Sequence, residues 1–241
     1  MENKNIFFII SEEIAKQYPD LRIGILVGED LSNTEYDEKL KKLIRKTESR
    51  MREKLSVEEF SNHPHILAWR KAYRSFGVKP KKYRPTCEAL VRRVLRGESL
   101  PWINKVVNCY LLTELEFLVP CGGYDVNKLE GDVYLRYSDG NEEFVPLGGK
   151  DVEFTKPREI IYSDDRKVLT RKWNYRDADV TKITAETKDI VLFSEAPFKD
   201  ISTDALEGFL KRLSELLNQF CGGSTKYEII EANKNLTYKI F

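Results

Sequence analysis

The residue types best suited to chemistry gather in PWINKVVNCYLLTELEFLVPCGGYD, residues 101–125. Asn104 and Asn108 stand four apart, which on a helix places both amides on one face. An amide donates and accepts without carrying charge, so two of them could orient an ester carbonyl or a water molecule. The segment ends in Pro120, Cys121, Gly122, Gly123, Tyr124 and Asp125. A Pro-Cys-Gly-Gly run does not fit a helix interior or a central strand. It reads as a loop where the backbone approaches a partner closely or turns through positive φ. Two readings fit. In one, the core satisfies the amides and the glycines make a tight turn. In the other, two amides floor a pocket and glycine N–H groups face a ligand. Asp125 suits capping of backbone N–H groups in the glycine loop.

The elements that would hold these residues follow from periodicity. Pro101 suits a first helical turn, and Ile103, Val106, Val107, Tyr110 and Leu111 recur at helical spacing. Further helices are expected after Ser11, over 36–55, from Ser61 or Asn62 to Gly77, from Thr86 to Gly97, and over 204–220. Residues 5–10, 21–28 and 189–193 read as strands, as do KYEIIE and LTYKIF at the end. DVYLRY (132–137) with EEFVPL (142–147) reads as one hairpin, and EIIYS with VLTRKW as a second. Helices followed by many short strands imply an α+β fold with mixed or antiparallel sheets. We read one main domain over 62–241, with 1–61 as an amino-terminal extension packed on it.

The net charge of +1 conceals an asymmetry. Between Ile66 and Val106 eleven basic residues face only Glu88 and Glu98. Arg74, Lys79, Lys81, Lys82, Arg84, Arg92 and Arg93 are the candidate RNA contacts in this window, with Tyr73, Phe76, Tyr83 and Trp102 as possible stacking groups. A solvated charged face would show the same composition.

Composition excludes several classes. At 41% hydrophobic and 33% charged, the chain suits a soluble globular protein, and no apolar run matches a membrane span. The opening MENKNIFFIISEE lacks the pattern of a signal peptide, so a cytoplasmic location is expected. Four scattered cysteines and two histidines flanking Pro64 make a zinc site unexpected. No Gly-x-Gly-x-x-Gly follows a strand, there is no Walker loop and no Gly-x-Ser-x-Gly elbow. No cofactor or metal is expected.

The order of FGVKPKKYRPTCEALVRRVLRG, LPWINKVVNCYLL, PCGGYDVNKLEGDVYLRY, FVPLGG, EIIYSDD and RKWNYRDADVTKITAETKDIVLFSEAPF resembles the B3/B4 domain of the bacterial phenylalanyl-tRNA synthetase β subunit. It is more similar still to freestanding B3/4 proteins that carry this domain without a synthetase. The resemblance covers about residues 62–220. It implies an α+β fold of B3/B4 type and a role in editing, with mischarged aminoacyl-tRNA as the partner and ester hydrolysis as the reaction. It also implies a pocket lined by Asn104, Asn108, Gly122, Gly123, Tyr124, Trp173, Asn174 and Ser194. The chain departs from the synthetases in three places. Gly122-Gly123-Tyr124-Asp125 replaces a His-Ala-Phe-Asp run. Arg171 to Arg176 replaces a glycine-rich turn, and the bulk of Trp173 there points to a smaller or different acyl group. Ser194 aligns with the glutamate that reads the tyrosine hydroxyl, and Glu195 falls one place off.

Ester deacylation needs a positioned water and a polarised carbonyl, and neither a metal nor a covalent nucleophile. On this reading the Gly122 and Gly123 N–H groups and the Asn104 or Asn108 amide surround the ester. The base is Glu195, Asp164 or a ribose hydroxyl, and Arg136, Arg171 and Arg176 hold terminal phosphates. The rival reading is a non-catalytic module that binds RNA or a small amino-acid-like ligand.

Overall fold

Two sheets meet face to face in the computed structural model, which describes residues 5–34 and 36–241. Residues 1–4, the start of the segment that lacks a signal-peptide pattern, lie outside it, as does residue 35. The elements run in the order β1 (Phe7–Ile10), α1 (Glu12–Gln17), β2 (Arg22–Glu29), α2 (Glu38–Lys54), α3 (Val57–Ser61), α4 (Pro64–Ser75), α5 (Thr86–Leu95), α6 (Lys105–Phe117) and β3 (Cys121–Asp125). They continue with β4 (Val133–Tyr137), β5 (Glu143–Phe144), β6 (Glu153–Phe154), β7 (Ile160–Ser163), β8 (Val168–Arg171), β9 (Arg176–Asp177), β10 (Ile190–Ala196), α7 (Thr203–Cys221), β11 (Ser224–Glu231) and β12 (Thr237–Lys239). The fold is α+β.

The larger sheet has the order β12-β1-β4-β7-β8-β9, and the smaller β11-β2-β10-β3. Only the β1–β4 pair is parallel in these two sheets. Residues before position 62 thus supply a strand to each sheet. All seven residues of β10 are buried, and alternation sends Phe193 and Glu195 to the face opposite Ser194. On the Phe193 side the sheets are joined by aromatic contacts. Phe193 lies 4.8 Å from Phe8 and 5.2 Å from Tyr162 by ring centroids, with Tyr124 6.0 Å away. On the other side α7 packs across β2, where Gly24 leaves room for Leu210.

Helix α7 shows why the long amphipathic helices form where periodicity places them. Leu206, Phe209, Leu210, Leu213, Leu216 and Leu217 make its buried stripe, Ser202 caps its start, and Gly222 closes it at φ +65°. In α4 the cap is His63, so neither Ser61 nor Asn62 serves there.

Two local expectations are corrected. Residues 132–147 do not form a hairpin. β4 pairs with β1 and β7, while β5 pairs with β6. The turn after β4 directs the chain to Thr155, whose carbonyl accepts from Asn141 N, and not back along β4. A turn signal marks a reversal but does not choose the partner. The second expected hairpin does form, as β7–β8.

The glycine run is also not a loop. Gly122 and Gly123 lie within β3, paired with Phe193 and Leu192 of β10. β3 is an edge strand, where glycines permit close backbone approach without breaking a ladder on both sides. A Cβ on Gly123 would fall on the Val191 carbonyl oxygen and the Leu192 side chain.

Candidate functional site

Where β3, β8, β9 and β10 converge, a small cavity of about 20 Å³ is lined by Gly122, Tyr124, Tyr162, Asn174, Asp177 and Glu195, together with Thr86 and Trp173. Its volume suits about one water molecule. A second cavity of about 120 Å³ shares Tyr124 and Asp177 with the first and adds Gly123, Val107, Tyr110 and Thr181.

Glu195 is buried in the small cavity. Tyr162 donates its hydroxyl to Oε1 at 2.6 Å, and Asn174 Nδ2 donates to Oε2 at 3.4 Å. Burial pushes the carboxyl up to about 7, against the lowering effect of these donors. Asn174 is itself fixed, because its Oδ1 accepts from the buried Tyr73 hydroxyl at 2.7 Å. Asp177 is half-buried and accepts from the Thr170 hydroxyl at 2.7 Å. That hydroxyl has one proton, so the 2.7 Å contact with Tyr124 is donated by the tyrosine. Burial raises Asp177 to about 6. Two carboxyls poised close to neutrality therefore face one small space.

Gly122 separates this pair from the strand edge. A Cβ there would stand 3.7 Å from both carboxylate oxygens of Asp177. Along β3 the N–H groups of Cys121 and Asp125 point away from β10, to the Glu114 carboxylate and the Thr181 carbonyl. Two-residue alternation sends the Gly123 N–H to that same edge and the Gly122 N–H into the β10 ladder. The Trp173 turn closes the other wall. Lys172 and Trp173 adopt φ of +50° and +67°, a region that bulky residues rarely occupy. Trp173 is held by edge contacts with Tyr18 at 4.9 Å and Trp69 at 5.2 Å. Among the described residues, Trp173 Nε1 and Thr86 Oγ1 have no hydrogen-bond partner.

The sequence profile of the B3/4 domain matches residues 68–222. The chain belongs to the B3/4 domain family. A β subunit of phenylalanine–tRNA ligase from Fusobacterium nucleatum is 24% identical over 183 residues, covering 67% of this chain and 23% of that subunit. The chain thus spans about a quarter of that relative's length. An N-terminal fragment of the phenylalanyl-tRNA synthetase β subunit from Pyrococcus horikoshii aligns over 93% of this chain and 51% of the fragment, at 15% identity and a TM-score of 0.47.

In this B3/4 domain several expected site residues are occupied elsewhere. Asn104 is not on a helical face but caps α6. Its Oδ1 accepts from Val107 N at 2.9 Å and its Nδ2 donates to the Ile183 carbonyl at 3.1 Å. Asn108 binds Ile103 N and the Pro101 carbonyl in the same manner. Asn33 takes the Val106 N–H, so two of the free N–H groups at the amino end of α6 are taken up within the fold. Both amides position the helix and are satisfied within the core, while the glycines expected with them as a tight turn form strand β3.

The arginines expected at phosphates are paired or remote. Arg171 is clasped by Glu159 through two bonds of 2.8 and 2.9 Å and reaches Glu153 at 2.8 Å. Arg136 binds Glu142 at 2.6 Å. Arg176 is exposed and donates to the Leu147 carbonyl. Asp164 accepts from Glu130, Arg166 and Lys167 N–H groups, which makes it a turn residue away from the cavity. Asp125 likewise binds Asn127 N and the Thr187 hydroxyl. Ser194 faces away and donates to the Pro120 carbonyl, while Glu195 and Phe193 of the same strand line the cavity.

Asp177 was absent from the sequence expectations. Its position next to the turn at 171–176 was the available signal, but only the β8–β9 pairing aims it inward. For Glu195 the signal was alternation from Phe193, two residues earlier.

The basic window folds into an open groove of about 780 Å³ lined by Arg70, Arg74, Lys79, Lys81, Arg84 and Arg92. Buried Glu88 gathers Arg70 at 2.7 Å, Arg92 at 2.9 Å and Arg84 at 3.8 Å. Arg93 lies apart, against Glu98. Among the described residues, Arg74, Lys79, Lys81 and Lys82 have no acidic partner. Tyr73 is core and unavailable for stacking, Phe76 packs against Tyr73 and Trp173, and Trp102 lies against Tyr36. Tyr83 remains half-exposed. No group of three or more metal-ligating side chains occurs among the described residues, and no described helix is long and apolar enough to cross a membrane.

Proposed function

We propose that this B3/4 domain hydrolyses the ester of a mischarged aminoacyl-tRNA in trans, at the cavity shared by Glu195 and Asp177. The reading is supported by family membership, by the tRNA-ligase name of its relative, and above all by one observation. Two carboxyls near neutrality face a glycine edge strand, and a basic groove is borne by the neighbouring α4 and α5. A general base works best with a pKa close to the working pH. Glu195 or Asp177 takes the proton of the attacking water, and the Gly123 N–H polarises the acyl carbonyl in the adjoining cavity. The oxygen of water becomes the new carboxyl oxygen, and the tRNA leaves with its ribose hydroxyl restored. The small cavity favours a small acyl side chain, with the large ring of Trp173 as one wall.

The test is release of labelled amino acid from a panel of correctly and incorrectly charged tRNAs. One mischarged species is released rapidly, and Glu195→Gln slows it about 100-fold. Release at the wild-type rate from the Glu195→Gln, Asp177→Asn double variant would exclude these carboxyls as bases. A second reading rests on the small volume of the cavity, which has space for about one water. A module that binds uncharged tRNA, or a small amino-acid-like ligand elsewhere on the surface, without hydrolysis fits so small a cavity. Salt-sensitive tRNA binding with no release from any charged species would favour it.

A further inference from the structure

A second open groove of about 620 Å³ runs on the far side of the turn that bounds the first, and both are lined by Gly77, Val78 and Lys79. Its aromatic element is the pair Tyr83 and Tyr175, edge to face with centroids 5.1 Å apart. Both rings are half-exposed. Lys172 places its ammonium 4.6 Å from the Tyr83 ring and 5.4 Å from the Tyr175 ring, and exposed Lys82 lies 5.2 Å from Tyr83. Lys156 also lines this groove. Glu159 is held by Arg171 and, at 3.6 Å, by Lys172, and Glu153 by Arg171, so Lys79, Lys82 and Lys156 set the charge of the surface.

These facts point to one ligand chemistry. Cations without acidic partners flank the turn on both sides, which is the arrangement a phosphodiester backbone requires. The aromatic pair beside them offers a face to an unpaired base. An exposed cation–π contact such as that of Lys82 contributes less than base stacking, so a base can displace the ammonium, which is then free to meet a phosphate. Tyr175 belongs to the same turn as Trp173 and Asn174, two residues before Asp177, so a base on this platform lies next to the cavity wall.

We infer that the two grooves form one track for a single-stranded RNA 3′ end, with phosphates at Arg74, Lys79, Lys81 and Lys82 and a base stacked on Tyr83 and Tyr175. The inference rests on the tRNA reading for its ligand but not on hydrolysis.

The test uses the full chain and a fluorescent, uncharged RNA hexamer ending in CCA-3′, with the hexamer annealed to its complement as comparison. Binding is followed by anisotropy across a salt series. Single strand binds more tightly than duplex. Tyr83→Ala and Tyr175→Ala each weaken it about tenfold, while Tyr83→Phe and Tyr175→Phe bind as wild type. Lys81→Ser and Lys82→Ser each reduce the slope of log K against log salt by about 0.7. These lysines are exposed, so their variants test the track even if loss of a half-buried ring disturbs folding. Equal affinity for duplex, or an unchanged salt slope in the double lysine variant, overturns the track. Strand binding as described with no deacylation of any charged tRNA would leave the track standing and remove the hydrolase. Deacylation with strand binding indifferent to Tyr83, Tyr175 and the lysines would do the reverse.

Discussion

Tyr162 on β7 donates its hydroxyl to Glu195 on β10 at 2.6 Å, so one hydrogen bond spans the two sheets at the cavity. Burial disfavours the charge of this carboxyl more than that bond and the Asn174 amide favour it. Its pKa is raised from an ordinary value near 4.5 to about 7. The folded state then holds the proton more tightly than the unfolded chain. The contribution of Glu195 to stability is full below about pH 4.5 and declines as pH rises towards about 7. Glu195→Gln removes that decline. The variant is more stable than wild type by on the order of 2–3 kcal/mol at pH 8, with little difference at pH 4.5. Denaturant titrations at the two values measure this, and a gap independent of pH would refute the buried, ionisable state. If Glu195 is the base, deacylation rises with pH over the same interval and levels off above it.

The two glycines of β3 separate by what lies beyond their Cα atoms. Gly122→Ala has ordinary contact distance to Asp177, 3.7 Å, and the protein folds with a stability within about 1 kcal/mol of wild type. The added methyl sits beside the carboxylate and slows release. Gly123→Ala strikes the backbone of β10 and costs about 3 kcal/mol or more. Thermal melts of both variants with a release assay on Gly122→Ala separate the roles. Equal melting temperatures would contradict the packing at Gly123.

Asn104 offers a contrast between position and chemistry. Asn104→Ala removes the α6 cap and leaves the Ile183 carbonyl without its donor, a loss of about 2 kcal/mol. Because both ends of the amide are already engaged, the folded variant keeps the wild-type rate of release. A normal melting temperature with abolished release would restore the amide to the site.

Local physics made the helices readable and left the cavity mostly hidden. The apolar stripe of α7 and the cap at Ser11 need only neighbours within a few residues. Glu195 and Asp177 meet because β3, β8, β9 and β10 converge, and strand partners are set by distant segments. Sequence alignment placed Ser194 where β10 places Glu195, and a one-residue slip on a strand exchanges its faces. Asn104 and Asn108 were conspicuous because polar residues stand out in an apolar helix, yet buried amides commonly serve the backbone. The basic window was legible as charge, but its division was not. Buried Glu88 takes up Arg70, Arg84 and Arg92, while Arg74 and the lysines carry no such partner.

Glu88 is therefore the residue on which the basic groove depends for its shape. Burial opposes its ionisation, but hydrogen bonds from Arg70 and Arg92 outweigh that and hold its carboxyl below the usual range. Arg70 and Arg92 also reach Ser61 at 2.9 and 2.7 Å, so one carboxylate helps tie α3, α4 and α5 together. Glu88→Ala leaves these arginines facing one another and costs about 3 kcal/mol. Glu88→Gln costs less. Since the folded pKa is depressed, the stabilisation is present above about pH 4.5 and is lost as pH falls through the folded value. The gap between wild type and Glu88→Gln therefore narrows in acid, opposite in sign to the pH effect at Glu195. Chemical denaturation of the two variants from pH 3.5 to pH 8 resolves the two effects. A Glu88→Gln gap that stays constant in acid would mean that the carboxylate charge does not organise the groove.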